Sequence, residues 1–513
     1  MATRLTYTTG SRSAELDRAF EAALADVRER EAEPLAHLVG GRDVLAGERF
    51  EREDPSRREH VASRSHEGAE LVGEAVESAR AAQREWRRLP YAERLALLRA
   101  TESLIQERKL ELAAAISMEV GKVRTESIAE VEEAIDLIET YCLQVEAAEG
   151  FETPLGQLSP DERNVDVLRP YGVFGVIAPF NFPFALGFGM TAAALAAGNA
   201  VILKPPEEAP HSGGAVARLL AEAGVPGGVI SLVHGGPQSG EALVGGGVDG
   251  VAFTGSAEVG REIGRRLSEG PFPRPVLAEM GGKNAAIVGA SADLDGAAEG
   301  IAKAAFGFSG QKCSACSRAI VVDEVHDGLV ERLAAIAGAY GVGDPADPEV
   351  ATGPVVNAQA VERFERSVET VRRDGVVAAG GALGDDAGWF VEPTVASGLA
   401  SGHPLTRDEV FLPFLTVVRV PDFDAALAEA NAVPYGLTAG VFSRDGEELD
   451  RFLDEIEAGV VYVNRRAGAT TGAWPGIQSF CGWKSSGLTG KGGLGPYYVQ
   501  QFAREQSRTI VEP

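Results

Sequence analysis

The feature that most constrains the fold of this chain is an alternation of two textures that begins at Val173. Short runs rich in β-branched residues (VFGVIAP, AVILK, VISLV, GVAFTG, AAIVG) alternate with Ala/Leu-rich stretches such as ALGFGMTAAALAAG. Strands that alternate with helices predict a doubly wound parallel sheet. Beyond Asp293 a second set of alternating segments ends on the strand GVVYV and predicts a second α/β domain. A chain of 513 residues is long enough for both.

Two further regions flank these sets. From Ala14 to Glu149, charged and apolar residues follow each other at helical spacing, which predicts a helical N-terminal region. The segment GQLSPDERNVDVLRP combines a turn with alternating flanks and predicts a protruding hairpin. We expect the strand-like end SRTIVE to pair with this hairpin or with another subunit.

Composition excludes several classes of partner. The net charge is -27, so nucleic acid and anionic membranes would be repelled. The start of the chain has no apolar signal-peptide core, and no window approaches the roughly 18 uninterrupted apolar residues of a membrane span. Four cysteines cannot build a disulfide framework, and the seven histidines are scattered without metal-binding spacing. We therefore expect a cytoplasmic protein without a metal.

The strongest chemical signal is FGFSGQKCSACSR, with Cys313 at its centre. A thiol in a loop beside a helix start can be held as thiolate by backbone N–H groups, which would make Cys313 a nucleophile. Two alternatives remain open on the residues alone. Cys313 could be an ordinary buried cysteine, or it could form a redox or metal-binding CxxC pair with Cys316. The second alternative lacks another CxxC, a nearby histidine and a thioredoxin-like context.

Three other stretches occur together with the cysteine motif. They are IAPFNFPFAL with Asn181, AVILKPPEEAP with Lys204 and Glu207, and the pair VAFTGSAEVG and VLAEMGGKN with Glu279. In order and spacing, from about Val72 to the C-terminus, this set resembles the aldehyde dehydrogenase superfamily. The resemblance implies the family fold, in which a Rossmann-type cofactor domain is joined to an α/β catalytic domain and a small β oligomerisation flap.

The resemblance also implies a domain division and an oligomer. The expected cofactor-binding domain, with the N-terminal helices, comprises residues 1–156 and 171–292. The expected catalytic domain comprises residues 293–484. The expected oligomerisation hairpin and tail comprise residues 157–170 and 485–513. A homo-oligomer, dimeric or larger, is the expected assembly.

The implied chemistry is oxidation of an aldehyde to a carboxylic acid. Thiolate from Cys313 adds to the aldehyde carbon, and the resulting oxyanion is bound by the Asn181 amide and the Cys313 backbone N–H. Loss of hydride to a nicotinamide leaves a thioester. Glu279 matches the family's general base, which activates the water that hydrolyses this thioester.

The implied cofactor is NAD, with NADP less favoured. Gly255 and Ser256 lie between a strand and a helix, where the helix N-terminus can face a pyrophosphate. Lys204 and Glu207 resemble the pair that binds the adenosine ribose, and the Glu207 carboxylate would repel a 2′-phosphate.

The nicotinamide ribose would be held further along the chain. Glu409 and Phe411 resemble the residues that bind and pack against this ribose. The family has Gly where Leu412 stands, so the seating of the ribose departs from the pattern at this point.

Within the superfamily, the chain resembles the Δ1-pyrroline-5-carboxylate dehydrogenases, which oxidise glutamate γ-semialdehyde to glutamate in proline catabolism. The implied anchors for the substrate's charged end are Ser314, Gly472 and Ala473, whose hydroxyl and backbone N–H groups would bind a carboxylate. Phe184 and Phe480 would wall its aliphatic middle.

The substrate region also departs from the family. RRAGAT is longer than usual, Trp474-Pro475 replaces smaller residues, and SFCGWKSSG replaces a PFGG pattern. A short polar or aromatic aldehyde, packed on Trp474 and Trp483, is therefore an alternative substrate. A non-catalytic binding protein on the same fold is a remote alternative, since Cys313 and Glu279 are both present. A CoA-acylating relative is disfavoured because it would not need Glu279.

Overall fold

A computed structural model describes residues 5–8, 13–30 and 33–511. Its two largest sheets have seven strands each, and a three-stranded sheet lies apart from them. Within these described ranges, no helix is both long and apolar enough to cross a membrane.

The strands, in chain order, are β1 (His37–Val39), β2 (Arg42–Val44), β3 (Arg49–Asp54), β4 (Arg57–His66), β5 (Glu152–Pro154), β6 (Glu162–Pro170), β7 (Val173–Ile177), β8 (Ala200–Lys204), β9 (Ile230–Leu232), β10 (Gly250–Thr254), β11 (Val276–Glu279), β12 (Asn284–Val288), β13 (Cys316–Val322), β14 (Val376–Ala379), β15 (Thr394–Ser397), β16 (Phe414–Val420), β17 (Tyr435–Gly436), β18 (Thr438–Phe442), β19 (Val460–Val463), β20 (Trp483–Lys484) and β21 (Ala503–Val511).

The α-helices are α1 (Ala14–Glu29), α2 (Val72–Trp86), α3 (Tyr91–Glu107), α4 (Lys109–Val120), α5 (Arg124–Ala147), α6 (Ala185–Ala196), α7 (Pro210–Glu222), α8 (Pro237–Gly245), α9 (Ala257–Ser268), α10 (Leu294–Phe306), α11 (Asp323–Gly338), α12 (Ala358–Asp374), α13 (Pro404–Arg407), α14 (Phe423–Asn431) and α15 (Gly446–Glu455).

The first large sheet has the order β11-β10-β7-β8-β9-β1-β2. Its five strands from β11 to β9 are parallel, which confirms the doubly wound sheet predicted from the alternation after Val173. Strand β8 is buried at every position, as expected for a parallel strand with helices on both faces. The register sets Thr254 beside Glu279 at the carboxyl ends of β10 and β11, where ligands bind in open α/β sheets.

The predicted helical N-terminal region is wrong between His37 and His66. Strands β1 to β4 occupy this stretch, while α1 precedes it and α2 to α5 follow it. A signal was present in the Gly40-Gly41 pair, whose φ angles are 59° and 78°. A two-residue turn with positive φ is typical of a β-hairpin. This hairpin extends the first sheet through antiparallel pairing of Leu38 with Leu232.

The second large sheet has the order β14-β15-β16-β13-β12-β18-β19. The predicted strands that became β13, β16, β18 and β19 are present and parallel to their neighbours. The sequence interpretation omitted α12, β14 and β15. Helix α12 does carry a helical signal, because its buried residues Ala360, Phe364, Val368 and Val371 recur at intervals of three and four.

The three-stranded sheet has the order β21-β6-β5. Strand β21 pairs antiparallel with β6 along its whole length, so the prediction that the C-terminal strand pairs with the hairpin is confirmed. Strand β5 joins the other side of β6. The sheet therefore begins before residue 157, where the hairpin was expected to start.

Candidate active site

Cys313 lies in a loop between α10 and β13. After Phe306 the backbone turns left-handed, with φ of 48° at Phe308, 50° at Ser309 and 66° at Gly310. The chain then passes Cys313 and enters a strand. The thiol thus follows a helical run and a glycine turn and precedes a strand, the order that the motif predicts, although no helix begins beside it.

Side chains from another loop hold this turn in place. The Ser309 backbone N–H donates to Thr352 Oγ1 at 2.7 Å, and the Ser309 hydroxyl donates to the Gly353 carbonyl at 2.6 Å. A Cβ on Gly310 would lie 2.0 Å from the Leu412 carbonyl oxygen. Only glycine fits at this position, so these contacts fix the conformation of the loop that carries the Cys313 thiol.

Burial raises the pKa of the Cys313 thiol to about 12, and the neighbouring carboxyls of Glu409 and Glu279 add to this effect. Backbone N–H groups of Ser314 and Cys313 oppose it, but they do not outweigh burial. The expected resting thiolate is thus corrected to a resting thiol. Attack on a carbonyl then needs a group that accepts the thiol proton.

Cys316 has a different place. It is 1% exposed and packs in the core of the second sheet, and its thiol donates to the Arg318 carbonyl at 3.5 Å. Cys316 lines neither the cleft nor the cavity in which Cys313 lies. A redox or metal-binding CxxC pair is not supported by this arrangement.

Glu279 ends β11 and lines the same cavity as Cys313. Burial raises the pKa of its carboxyl well above the usual range, while the Gly482 backbone N–H opposes this shift. Its Oε2 is buried and has no hydrogen-bond partner among the described residues. A carboxyl with a raised pKa and a free oxygen is suited to accept a proton near neutral pH.

Asn181 follows β7 and is 4% exposed. Its side-chain amide donates to the Gln311 carbonyl at 2.9 Å, which leaves the second N–H of the amide for another acceptor. Asn181 and Cys313 line the same cleft. This is the arrangement expected of an oxyanion donor.

A cleft of about 820 Å³ extends from Cys313 along the carboxyl ends of the first sheet. Every residue predicted to bind the cofactor lines it, namely Lys204, Glu207, Gly255, Ser256, Glu409 and Phe411. Ser256 also caps α9, since its hydroxyl accepts from the Val259 N–H at 3.3 Å. The N-terminus of α9 thus opens toward the cleft.

The far part of the cleft carries Lys204 and Glu207. The Lys204 ammonium donates to the Pro205 carbonyl at 3.1 Å, and burial lowers its pKa. A Cβ on Gly236 would lie 2.2 Å from Glu207 Oε2. The lack of a side chain at Gly236 therefore lets the Glu207 carboxylate reach the cleft wall.

Glu409 and Phe411 lie nearer to the thiol. Glu409 Oε1 accepts from the Gly282 N–H at 2.9 Å, and burial raises the pKa of this carboxyl to about 7. Phe411 has a φ of 55° and meets Phe180 edge-on at 5.8 Å. Leu412 is 3% exposed, does not line the cleft and packs in an apolar core. The departure at Leu412 therefore adds no side chain to the cofactor cleft.

A second, smaller cavity of about 90 Å³ lies on the other side of Cys313. Ser314, Gly472, Ala473 and Phe480 line it as predicted. Phe184 does not, so that prediction is wrong.

Phe184 directly precedes α6, and its side chain is fully buried against Phe188 at a ring distance of 5.5 Å. Phe182, two residues earlier, lines the cavity instead.

A model of the aldehyde dehydrogenase family matches residues 44–507. The chain belongs to the aldehyde dehydrogenase family.

Individual relatives within this family are similar over nearly the whole chain. A 1-pyrroline-5-carboxylate dehydrogenase from Geobacillus sp. strain WCH70 is 36% identical over 507 residues, which is 96% of each chain. A solved 1-pyrroline-5-carboxylate dehydrogenase from Thermus with bound NAD is 35% identical, with a TM-score of 0.94 over 100% of this chain and 99% of its own. These similarities confirm the predicted fold class.

A longer protein contains a similar unit. Proline utilization A from Bdellovibrio bacteriovorus is 34% identical, with a TM-score of 0.93 over 97% of this chain. This chain spans 52% of the length of that protein.

Among the residues of the aldehyde dehydrogenase's small cavity that the sequence interpretation missed are Tyr7, Glu133 and Lys312. The Tyr7 hydroxyl donates to Glu133 Oε2 at 2.5 Å, and the Lys312 ammonium pairs with Glu126. Burial raises the pKa of Glu133 to about 7. Lys312 directly precedes Cys313 and could have been suspected. Glu133 is one of many acidic residues on α5, and nothing local distinguishes it.

The loop around Gly472 is fixed by Arg465, a residue of the unusual RRAGAT run. Its guanidinium donates to the Thr471 carbonyl and, at 3.0 Å, to the Gly472 carbonyl. Thr470 Oγ1 donates to the Ser314 carbonyl at 2.7 Å. These contacts join the Gly472 loop to the segment that carries the thiol.

The two tryptophans proposed to hold an aromatic aldehyde do not line the cavity. The Trp474 indole N–H donates to Asp136 Oδ2 at 2.7 Å. Trp483 lies in β20 and is 47% exposed.

Proposed function

We propose that this aldehyde dehydrogenase oxidises glutamate γ-semialdehyde, the open form of Δ1-pyrroline-5-carboxylate, to glutamate with NAD, as a step of proline catabolism. The observation that carries the proposal is the small cavity beyond Cys313, which presents a carboxyl at Glu133 and an ammonium at Lys312. Relatives named 1-pyrroline-5-carboxylate dehydrogenase, at 36% identity over 96% of the chain, support it.

The cavity suits a short zwitterion. A substrate ammonium would be attracted by Glu133, and a substrate carboxylate by Lys312, the Ser314 hydroxyl and the backbone around Gly472 and Ala473. A volume of about 90 Å³ leaves room for a chain of few carbons. An uncharged aldehyde of the same length would gain none of these charge-assisted contacts, so it should bind and react less well.

The chemical steps are assigned to three residues. The Cys313 thiol gives up its proton to water as sulfur bonds to the aldehyde carbon, and the Asn181 amide and the Cys313 backbone N–H bind the oxyanion. Bound NAD would supply the acceptor for the hydride that leaves this carbon. Glu279 then takes a proton from water as the hydroxide adds to the thioester, and the sulfur leaves as the thiolate.

The cofactor cleft fits a dinucleotide by the chemistry of its residues. The α9 N-terminus would face the pyrophosphate, Lys204 and Glu207 the adenosine ribose, and Glu409 the nicotinamide ribose. The Glu207 carboxylate favours NAD over NADP because it would repel a 2′-phosphate. The bound NAD of the Thermus relative supports this assignment for the present chain.

The domain roles and the assembly follow the same interpretation. Residues 1–156 and 171–292 would bind the cofactor, residues 293–484 would carry catalysis, and residues 157–170 with 485–513 would join subunits of a homo-oligomer. Strand β21 is exposed along most of its length, and an exposed sheet edge is available for pairing with a second subunit. We place the enzyme in the cytoplasm, in keeping with four cysteines that are all free thiols.

A turnover panel tests the substrate. Glutamate γ-semialdehyde, 5-oxopentanoate and pentanal are similar in length but carry both charges, the carboxylate alone, or neither. We expect kcat/KM to fall in that order, by at least about a hundredfold from first to last. A preference for pentanal or for benzaldehyde would favour the short polar or aromatic alternative, and no turnover with any aldehyde would favour a non-catalytic protein.

A further inference from the structure

The N-terminal segment Leu5–Thr8 reaches the substrate cavity, although about 120 residues separate it from the next residue that lines it. Leu5 is 8% exposed and belongs to the core of the first sheet. Tyr7 lines the cavity together with Glu133 and Cys313. The substrate site is therefore partly built from the beginning of the chain.

Aromatic contacts hold the Tyr7 ring at the cavity. It meets Phe182 edge-on at 5.7 Å with an interplanar angle of 86°, and Trp474 at 5.6 Å and 63°. The Trp474 indole is fixed in turn by its hydrogen bond to Asp136. Such ring pairs stabilise their geometry beyond simple burial. Trp474, one of this chain's departures from the family pattern, thus serves as a support for Tyr7.

The segment also depends on Gly472. A Cβ on Gly472 would lie 2.5 Å from Thr8 Cγ2, and Gly472 has a φ of 88°. A side chain at Gly472 would therefore be strained and would collide with Thr8. The loop expected to bind the substrate carboxylate and the N-terminal segment are in direct contact.

The Tyr7 hydroxyl acts on Glu133. It donates to Oε2 at 2.5 Å, so Oε1 of the same carboxyl is left for another donor. Burial and the neighbouring carboxyl groups raise the pKa of Tyr7 well above its usual range. The hydroxyl therefore keeps its proton and remains a donor throughout the physiological range.

We propose that residues 5–8 close the substrate end of the cavity and that Tyr7 determines specificity in two ways. Its ring limits the length of the aldehyde, and its hydroxyl orients the Glu133 carboxyl toward a substrate ammonium. The second role rests on the proposed function, whereas the first does not.

Two substitutions separate these roles. Tyr7→Phe removes the hydroxyl and keeps the ring, so KM for glutamate γ-semialdehyde should rise about tenfold, with kcat within about twofold and a smaller rise, below about threefold, in KM for pentanal. Tyr7→Ala opens the cavity, so kcat/KM for octanal relative to propanal should rise at least about fivefold. Tyr91→Phe, at the start of α3 and outside the cavity, is the matched control and should change neither ratio.

Each result decides one role. An unchanged KM for the semialdehyde in Tyr7→Phe would overturn the orientation of Glu133, and an unchanged octanal-to-propanal ratio in folded Tyr7→Ala would overturn the closure. If Tyr7→Ala does not fold, Tyr7→Leu gives the same length test with a smaller loss of buried surface. A wild type that does not prefer the semialdehyde, together with a shifted length ratio in Tyr7→Ala, would reject the proposed substrate and leave the closure standing.

Discussion

Two spaces meet at Cys313, and they are built in different ways. The cofactor cleft of about 820 Å³ is formed largely by turns that follow consecutive strands of one sheet. The substrate cavity of about 90 Å³ is formed by segments from the N-terminus, α5, the thiol loop and the region after β19. A binding site at the ends of strands can therefore be predicted from local sequence motifs. A binding site formed between distant segments depends on the tertiary fold and cannot be predicted in that way.

The two spaces also differ in the ligand groups that they suit. The cleft carries Lys204 together with the carboxyls of Glu207 and Glu409, and these carboxyls can accept hydrogen bonds from ribose hydroxyls. The cavity sets a carboxyl, Glu133, against an ammonium, Lys312. A ligand with hydroxyls therefore suits one side of Cys313, and a zwitterion suits the other.

The largest effect is expected from Cys313, which lines both spaces and carries the nucleophile. Cys313→Ala should lower kcat by at least about a thousandfold because no thioester can form. NAD affinity, measured by calorimetry, should stay within about threefold, since the thiol enters only the chemical step. Cys316→Ala is the matched control and should retain most activity. If the two variants were equally inactive, the assignment of Cys313 as the sole nucleophile would have to give way to a catalytic CxxC pair of Cys313 and Cys316.

Glu279 is expected to give the next largest effect, and on the cavity side alone. Glu279→Gln keeps the size of the side chain but removes the base, so thioester hydrolysis should slow by about a hundredfold or more. A burst of NADH near one per active site should precede slow turnover in rapid-mixing experiments. The absence of a burst in a folded variant would show that the thiol also needs Glu279 to lose its proton.

The same residue gives a pH dependence with a defined sign. The pKa of Glu279 is raised, so its basic form is lost as pH falls through a value above that of an ordinary glutamate. Hydrolysis of preformed thioester should therefore decline on acidification well before pH 4.5, the usual pKa of this side chain. In Glu279→Gln this acidic limb should be flat, and a wild-type rate that stays constant down to that pH would contradict the assignment.

Much of the fold could be predicted because strand and helix textures are local. The segments after Val173 became a parallel sheet as expected, whereas β1 and β2 were missed although the Gly40-Gly41 turn marks a hairpin. Each of these strands has only three residues, too few for an alternating pattern to stand out, and what stabilises them is the edge of a sheet formed far along the chain.

The site could be predicted only in part for the same reason. The predicted cleft residues from Lys204 to Phe411 lie in short motifs near the ends of strands, and all of them line the cleft. Tyr7 and Glu133 lie on an N-terminal segment and a long helix, where nothing local marks them. Phe184 was misplaced because Phe182 and Phe184 are only two residues apart. The local sequence does not show which of them lines the cavity and which packs against α6.

Ser314 tests the cavity without touching the cleft. Ser314→Ala removes one hydroxyl that lines the cavity, so kcat/KM for glutamate γ-semialdehyde should fall by about tenfold to a hundredfold. Activity with pentanal should hardly change, because an alkyl tail has no group to pair with this hydroxyl. Equal losses on both substrates would mean that Ser314 acts on the thiol loop rather than on the substrate carboxylate.

Glu207 tests the cleft without touching the cavity, and here the expected effect is the smallest. Its carboxylate lines the cleft near Gly236, where it would accept from the adenosine ribose hydroxyls and repel a 2′-phosphate. Glu207→Ser keeps a polar group but removes the charge, so the ratio of kcat/KM for NADP to that for NAD should rise about tenfold, mainly through KM.

Glu208, the adjacent carboxylate, also lines the cleft, so Glu208→Ser is a matched control for the loss of one negative charge. It should change the NADP-to-NAD ratio less. A wild type that already prefers NADP, or a Glu208 variant with the larger shift, would contradict the placement of the ribose at Glu207. The glutamate semialdehyde to pentanal ratio should be the same in wild type and in Glu207→Ser, because only Cys313 and Thr254 line both spaces and a change at the far end of the cleft should leave the selectivity of the cavity intact.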